Sequence, residues 1–485
     1  MNGLEPLPGT GTTINLSLIS HTNAGKTTLA RTLLGRDVGE VRDAAHVTDL
    51  STGYVLVQNA EDTLMLWDTP GFGDTARLVA RLKMSGNPIG WFLVQVWDRW
   101  RERPLWSSQQ AIKNAREQAD VILYLVNAAE DPAAASYIPM EMEVLGWIGK
   151  PVVVLLNQIG PPREDISREI ARWREVGVPG LVRAVLPLDA FARCWVQEIA
   201  LLETVTPLLP MHKADAMAGL SRRWEELNET RFKSAMSVLA RYLLRAAVAH
   251  EAVDEQGWQG KMAGALSGKP GGDRAKRKAM ESLTTKLSDD TSASTDELIR
   301  LHSLSGKAIR TVLERVSKDY ALQFKAPEGA VAAMGGIVSG AMGGLVADLA
   351  AGGLTLGGGM IVGAILGALG GTGLAKGLNL VRGEDGSSVR WSAEFLERLT
   401  VTALLRYLAV AHFGRGRGEW AEGEHPLFWQ PIVEKVVAQR KSDLTRFWKI
   451  TATASEIEGR EADALANLLE EAGTAILAQL YPPAN

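Results

Sequence analysis

Ser20-His21-Thr22-Asn23-Ala24-Gly25-Lys26-Thr27 closes the apolar run INLSLIS (14–20) and opens the helical run that continues LARTLLG. The octapeptide meets the pattern G-x-x-x-x-G-K-[ST] except at its first position, where Ser20 stands in place of glycine, and its context is the strand–loop–helix that the pattern requires. Each residue has its own reason to be there. Successive backbone N–H groups from Asn23 through Ala24, Gly25, Lys26, Thr27 and Thr28 can curl around a phosphate at the positive end of a helix. Gly25 lets the backbone approach without a Cβ in the way. Lys26 brings a cation to the β- and γ-phosphates, and the Thr27 hydroxyl is a Mg²⁺ ligand.

A second element downstream supports this reading. TLMLWDTPG (63–71) ends a strand with Asp68, placed to hold a magnesium shell, and with Gly71, whose N–H can reach a γ-phosphate. Thr48 lies 22 residues after Lys26, just ahead of the run at 53–59, where a threonine could close over Mg²⁺ and the γ-phosphate. Ser51 and Thr52 are its neighbours and rivals for that role. Lys26, Thr48 and Gly71 are therefore the candidate catalytic groups, and Thr27, Thr48 and Asp68 the candidate Mg²⁺ ligands.

Short apolar runs recur through the same region, at 14–20, 53–59, 63–69, 121–128, 151–158 and 181–188, separated by helical patterns. Runs of this length suit strands buried on both faces of a mainly parallel sheet. An α/β domain over 13–207 is the expectation. Its charge, 52 basic against 56 acidic residues over the whole chain, argues against a dedicated nucleic-acid binder, which is usually basic. The single cysteine, Cys194, excludes an intrachain disulfide. Residues 1–13 carry no apolar core flanked by basic residues, so a cytoplasmic protein is expected.

Residues 13–207 resemble a small P-loop GTPase domain of the TRAFAC class, nearest the Era/TrmE-like group. Asn23 stands where that group carries an asparagine associated with potassium, so the resemblance implies K⁺ beside Mg²⁺. In DTPGF, Phe72 stands where Ras-like enzymes have a water-orienting glutamine. LPLDA (186–190) resembles the last base-binding turn, which makes Asp189 and Ala190 candidate nucleotide contacts. The whole chain resembles a bacterial family that joins such a domain to a C-terminal region of unknown function. The resemblance implies binding of GTP and GDP, with hydrolysis to GDP and phosphate.

The guanine-reading motif of such domains is N-K-x-D, and here it reads Asn157-Gln158-Ile159-Gly160. Asn157 can still bond the base and the stem of Gln158 can still cover it. Gly160 cannot accept from guanine N1–H and N2–H₂, a loss of about 1.5–3 kcal/mol. Asp189 is one substitute acceptor; Glu164 and Asp165 are weaker ones. Phe72 cannot orient water, so intrinsic turnover should be slow, and the help could come from K⁺ at Asn23, a homodimer across the switch regions, or a partner.

The rest of the chain reads as helix. Periodic apolar residues over 221–253 and 295–324 predict helices in a region spanning 211–325, with SGKPGGDRAKRK (267–278) as a basic turn between them. The segment 87–106, with Trp91, Trp97, Trp100 and Trp106, reads as an aromatic helix, packed on the protein's own helical region or presented as a contact surface. Residues 328–380 form a glycine-rich stretch, 17 glycines within 329–377, with Gly336, Gly340 and Gly344, and again Gly359, Gly363, Gly367 and Gly371, four apart. Such spacing predicts a glycine-zipper hairpin of two closely packed helices, since each glycine otherwise costs a helix about 0.5–1 kcal/mol. Residues 329–347 and 349–375 contain no charged residue, only Asp348 divides them, and Lys325 and Lys376 lie beyond the two arms on one side, in agreement with a positive-inside hairpin. Membrane association at the inner face of the cell membrane and a soluble, protein-packed hairpin both remain open. Helices over 390–482 complete an all-α C-terminal region. A nucleotide-dependent switch linked to a membrane or protein partner is the leading reading. A non-hydrolysing regulatory binder and a ribosome- or RNA-associated GTPase are the alternatives.

Overall fold

The computed structural model describes residues 11–22, 24–35, 51–84, 86–95, 102–132, 134–157, 166–176, 179–188, 195–252, 272–304, 378–383, 386–412, 429–451 and 459–481. Two compact units divide the chain. The first comprises Met1–Thr230, His412–Pro426 and Tyr481–Asn485, and the second Arg231–Ala411 and Leu427–Leu480.

The first unit is built on β1 (Thr13–Ile19), β2 (Thr52–Gln58), β3 (Thr63–Asp68), β4 (Val121–Asn127), β5 (Val152–Asn157) and β6 (Val182–Pro187), in spatial order β2-β3-β1-β4-β5-β6. β2 runs antiparallel to β3 with a bulge between Val55 and Val57, and the other pairs are parallel. All six coincide with the expected apolar runs to within a residue or so. The reason is period two inside each strand. Val121, Leu123 and Leu125 of β4 join one core with α1 (Lys26–Leu34), while Ile122, Tyr124 and Val126 join the other with α2 (Thr75–Leu82) and α5 (Tyr137–Ile148). A sheet buried on both faces needs apolar residues at every position. Because β1 lies between β3 and β4, the chain leaves it in opposite directions, and the crevice at the strands' carboxyl ends is where such sheets bind ligands.

Between β3 and β4 the aromatic segment is not one helix. α3 (Pro88–Val94) stops at Gln95, whose ψ of 145° is extended, and α4 (Arg103–Glu117) starts afresh with proline in its first turn. Asn87 caps α3 through its side chain, accepting from the Gly90 N–H at 3.1 Å. Proline at a helix start and a side-chain cap each fix a beginning, so two beginnings make two helices. Trp91 packs against the first unit's own core. Trp97 and Trp100 lie outside the described residues.

α6 (Ile166–Arg174) and α7 (Trp195–Val205) complete the flanking layers, and α8 (Met211–Val248) follows. The first half of α8 buries Met217, Leu220 and Trp224 in the core shared with β1 and α1, and the Trp224 indole donates to Glu198 at 3.1 Å.

In the second unit the C-terminal region is helical but not all-α. β7 (His250–Ala252), β8 (Leu378–Gly383) and β9 (Gly386–Trp391) form an antiparallel sheet in order β7-β9-β8. LNLVRG-ED-GSSVRW is two short segments around a two-residue connection, a hairpin signal hidden at the edge of the glycine-rich stretch. The basic turn at 267–278 is corrected as well. α9 (Gly272–Leu301) takes in four of its five basic residues, Arg274, Lys276, Arg277 and Lys278, because after Asp273 the sequence RAKRKAMESL offers strong helix formers. The helix ends at Leu301, ahead of Ser303 at φ 55°, rather than starting near 295. The expected continuation to 324 and the whole glycine-rich segment 329–377 lie outside the described residues.

α10 (Ala393–Ala411) and α13 (Gly459–Leu480) fall where their periodicity placed them, with α11 (Trp429–Gln439) and α12 (Lys441–Thr451) between. Ser392 caps α10, its hydroxyl accepting from the Phe395 N–H at 3.1 Å. No helix among the described residues is long and apolar enough to cross a membrane.

Candidate functional site

β1 delivers the chain to Ser20 at the centre of the sheet, and α1 receives it again at Lys26. The turn between them needs Gly25, whose φ of 93° lies in the left-handed region. Gly25 is also the N-cap and provides no side-chain cap, so the first helical N–H groups face the loop's mouth with the dipole's positive end. The Asn157 amide, at the end of β5, donates to the Ala24 carbonyl at 3.1 Å and braces the loop from the far side. A Cβ on Gly25 would stand 3.1 Å from that amide nitrogen.

Ser20 accounts for the departure from the glycine pattern. Its side chain is fully buried, and its hydroxyl accepts from Lys26 Nζ at 2.8 Å while donating to the His21 carbonyl at 2.5 Å. The serine thus holds the lysine head group under the loop. Lys26 is itself buried, and burial lowers its pKa to about 8 against the opposing pull of Asp68 and Glu141. Asp68 is shifted the other way, upward, again by burial first, with the Thr27 hydrogen bond and the charges of Lys26 and Arg31 opposing. The Thr27 hydroxyl donates to Asp68 Oδ2 at 2.7 Å. Asp68 Oδ1 is buried with no hydrogen-bond partner.

The segment after β3 is stitched to the loop. The Phe72 N–H donates to the Ser20 carbonyl at 3.0 Å, and the Phe72 carbonyl accepts from the Thr22 N–H at 3.1 Å and the Thr22 hydroxyl at 2.6 Å. Gly71 therefore comes so near that a Cβ there would lie 2.9 Å from Thr22 Cα and 3.0 Å from Lys26 Nζ. The Phe72 ring is fully buried in the core with Leu78 and Ile112.

Of the expected site residues, the structure brings Ala24, Gly25, Lys26, Thr27, Thr28, Asp68, Gly71 and Asn157 to the carboxyl edge of the sheet. Asn23, Thr48, Gln158, Asp189 and Ala190 lie outside the described residues, as do Gly160, Glu164 and Asp165. Sequence reasoning placed Ser20 and Thr22 in the loop but missed their bonds to Lys26 and Phe72. It also missed Glu141, although a charged residue among Ile138, Met142 and Leu145 at helical spacing breaks an apolar stripe and is a legible signal.

Two family models match the chain. One, described as a 50S ribosome-binding GTPase, covers residues 15–158, so the first unit carries a P-loop GTPase domain. The other, described as a domain of unknown function, DUF3482, covers residues 181–473 and so begins at the last strand of the large sheet. No curated protein matches. Among solved structures, an Era variant from Aquifex aeolicus bound to GDP and AlF4− is 23% identical, over 41% of this chain and 57% of that one, with a TM-score of 0.30. Era in complex with MgGDPNP and a 16S ribosomal RNA fragment is 22% identical, over 41% and 58%, with a TM-score of 0.30. A GTP-binding protein from Sulfolobus solfataricus in complex with GDP is 18% identical, over 43% and 53%, with a TM-score of 0.26. The matched part spans less than two thirds of each of those chains.

Proposed function

The chain belongs to the DUF3482 family and carries a P-loop GTPase domain ahead of that region, and from this premise we propose that it binds GTP, hydrolyses it to GDP and phosphate, and uses the nucleotide state as a switch for its helical region. The observation that carries the reading is the convergence of Lys26, Thr27 and Asp68 beneath the Gly25 turn, with Nζ held by Ser20 at 2.8 Å and the hydroxyl–carboxylate pair at 2.7 Å. Burial disfavours the charge on both Lys26 and Asp68. A polyphosphate would compensate the lysine and a divalent cation the aspartate.

The residues fit Mg²⁺. A hydroxyl and a carboxylate with an unpartnered oxygen form a hard oxygen donor pair, the kind that binds Mg²⁺ together with phosphate oxygens. Thr27 and Asp68 would hold the ion, with Thr48 as the third expected ligand, and the ion would neutralise phosphate charge. Lys26 supplies a fixed positive charge toward the β- and γ-phosphates, and the N–H groups of 24–28 cradle them. Gly71, pressed against Thr22 and Lys26, is where a γ-phosphate would be sensed. Catalysis on this plan is electrostatic stabilisation of the transferring phosphoryl group.

The buried Phe72 ring favours slow intrinsic turnover and keeps the non-hydrolysing binder as the second reading. Acceleration would come from K⁺ at Asn23, as in the Era/TrmE-like group, from a homodimer across the switch regions, or from a partner. Binding and turnover of GTP, ATP and xanthosine triphosphate, compared in K⁺ and Na⁺ at several protein concentrations, test both points. GTP should bind at least tenfold more tightly than ATP, with faster turnover in K⁺. Equal GTP and ATP affinity removes the GTP assignment, and binding without turnover under any condition selects the second reading. The net charge of −4 argues against a nucleic-acid partner, whereas the ribosome-binding name of the matched GTPase model favours the alternative of a ribosome-associated role.

The domain plan we propose is a G domain over 13–207, a helical region over 211–325, the glycine-rich hairpin over 328–380 and C-terminal helices over 390–482, with Asn157, Gln158, Asp189 and Ala190 contacting the base. The hairpin would act at the inner face of the cell membrane or on a protein partner. Liposome flotation without nucleotide, with GDP and with a non-hydrolysable GTP analogue, alongside a chain lacking 329–377, separates these. Flotation that needs both the hairpin and the triphosphate supports the membrane. No flotation in any state moves the hairpin to a protein partner.

A further inference from the structure

Glu141 occupies an apolar position of α5 and is fully buried, yet none of the roles above uses it. Its Oε1 accepts from the Thr75 hydroxyl at 2.9 Å and lies 2.7 Å from His21 Nδ1, and its Oε2 accepts from the Tyr124 hydroxyl at 2.7 Å. With Oε1 as the acceptor in both contacts, the ring hydrogen of His21 sits on Nδ1. The His21 ring also stacks on Tyr137 with centroids 4.2 Å apart, and the Tyr137 hydroxyl donates to Glu130 at 2.6 Å. The imidazole is therefore held on its face as well as its edge.

The three donors come from three separate pieces of the domain. His21 belongs to the phosphate loop, Thr75 is the first residue of α2, directly after the DTPGFGD segment, and Tyr124 lies in β4. A buried carboxylate costs several kcal/mol unless it is well bonded, and an aliphatic side chain like those of Ile138 or Met142 would fill the same stripe without that cost. What the carboxylate adds is a bond to each of two elements that meet the nucleotide. The backbone bonds between Phe72 and residues 20 and 22 end at Phe72. The Thr75–Glu141–His21 chain anchors the far end of the same segment.

We propose that Glu141 is a positioning residue for the nucleotide reaction, tying the phosphate loop through His21 to the start of α2 through Thr75, and so setting Gly71 against Lys26. This rests on the nucleotide-binding reading above. Gly71 is the group expected to meet the γ-phosphate alone, so a tie that sets its position acts on the triphosphate state more than on the diphosphate state.

The test uses the full chain with Glu141→Gln, Thr75→Val and Thr75→Ser, and reads kcat and KM for GTP, affinities for GDP and a non-hydrolysable GTP analogue, and Tm. Exchanging the charged acceptor for a neutral amide, which weakens the bonds from His21 and Thr75 and turns a donor toward Tyr124, should lower kcat about tenfold or more in Glu141→Gln, with GDP affinity within about twofold. Thr75→Val, which keeps the shape and removes the hydroxyl, should fall in the same direction, and Thr75→Ser should restore the rate. Unchanged kcat in both Glu141→Gln and Thr75→Val overturns the proposal. So does an equal loss of GDP and GTP-analogue binding with a lower Tm, which would make the network structural only. If Glu141→Gln does not fold, the Thr75→Val and Thr75→Ser pair decides by the same criteria. A wild-type protein that binds neither nucleotide overturns the nucleotide reading itself and this proposal with it, whereas wild-type turnover matched by both variants overturns the proposal alone.

Discussion

Replacing Lys26 by methionine is expected to stabilise the nucleotide-free protein while removing its nucleotide binding. Lys26 sits beneath the loop with its ammonium desolvated, and its pKa falls from 10.5 to about 8. The sign follows from linkage. Between pH 8 and 10.5 the unfolded chain holds this proton and the folded one does not, so stability rises with pH across that window. Below pH 8 the folded protein carries the full penalty, about 3 kcal/mol at 1.36 kcal/mol per pKa unit. Methionine has similar length and no charge, so Lys26→Met removes the penalty. It also leaves Ser20 Oγ without its donor, a loss of about 1 kcal/mol. The net expectation is a gain of about 1–2 kcal/mol at pH 7 that shrinks toward pH 10. Affinity for GTP should fall about a hundredfold or more, because a charged donor to phosphate oxygens is lost. Urea denaturation at pH 7 and pH 10, with nucleotide titration of both proteins, checks each half. A variant less stable than wild type at pH 7 would mean that the lysine is not strained in the free site.

That strain was not visible in the sequence, although the residues that bear it were. Gly25, Lys26, Thr27 and Asp68 follow from spacing and type alone, because a phosphate needs amides, a cation and an oxygen pair in that order along a strand–loop–helix. The six strands were legible for a related reason, since strands such as β4 carry apolar residues on both faces. What escaped was decided by partners remote in sequence. Ser20 looks like a defect in a glycine motif until Lys26 Nζ is found against it. Glu141 lies 120 residues from His21, and only the fold joins them. In the second unit, β7 pairs with β9 across more than a hundred residues, and three residues of strand have no periodicity to read. The helix at 272–301 was misread because a Pro-Gly-Gly break and a cluster of basic residues suggested a loop, whereas the break ends at Gly272 and helix formers follow.

Gly71→Ala is the smallest change expected to abolish discrimination between GTP and GDP. A methyl group at 71 would stand 2.9 Å from Thr22 Cα and 3.1 Å from Thr22 N, both backbone atoms, and 3.0 Å from Lys26 Nζ. The lysine head group could give way, but the loop backbone cannot move without disturbing the Phe72–Ser20 and Thr22–Phe72 bonds that fix it. The cheaper response is for residues 71–73 to shift away from the loop. Overpacking of this kind costs about 1–3 kcal/mol of stability, and it moves the Gly71 N–H from the place where a γ-phosphate would meet it. GDP makes no demand on that N–H. The variant should therefore bind GDP within a few-fold of wild type and lose about tenfold or more in affinity for a non-hydrolysable GTP analogue, with turnover reduced at least as much. Paired titrations of the two nucleotides decide the matter. Equal losses for both would place the damage in the loop as a whole, and undiminished discrimination would mean that the third phosphate is sensed elsewhere.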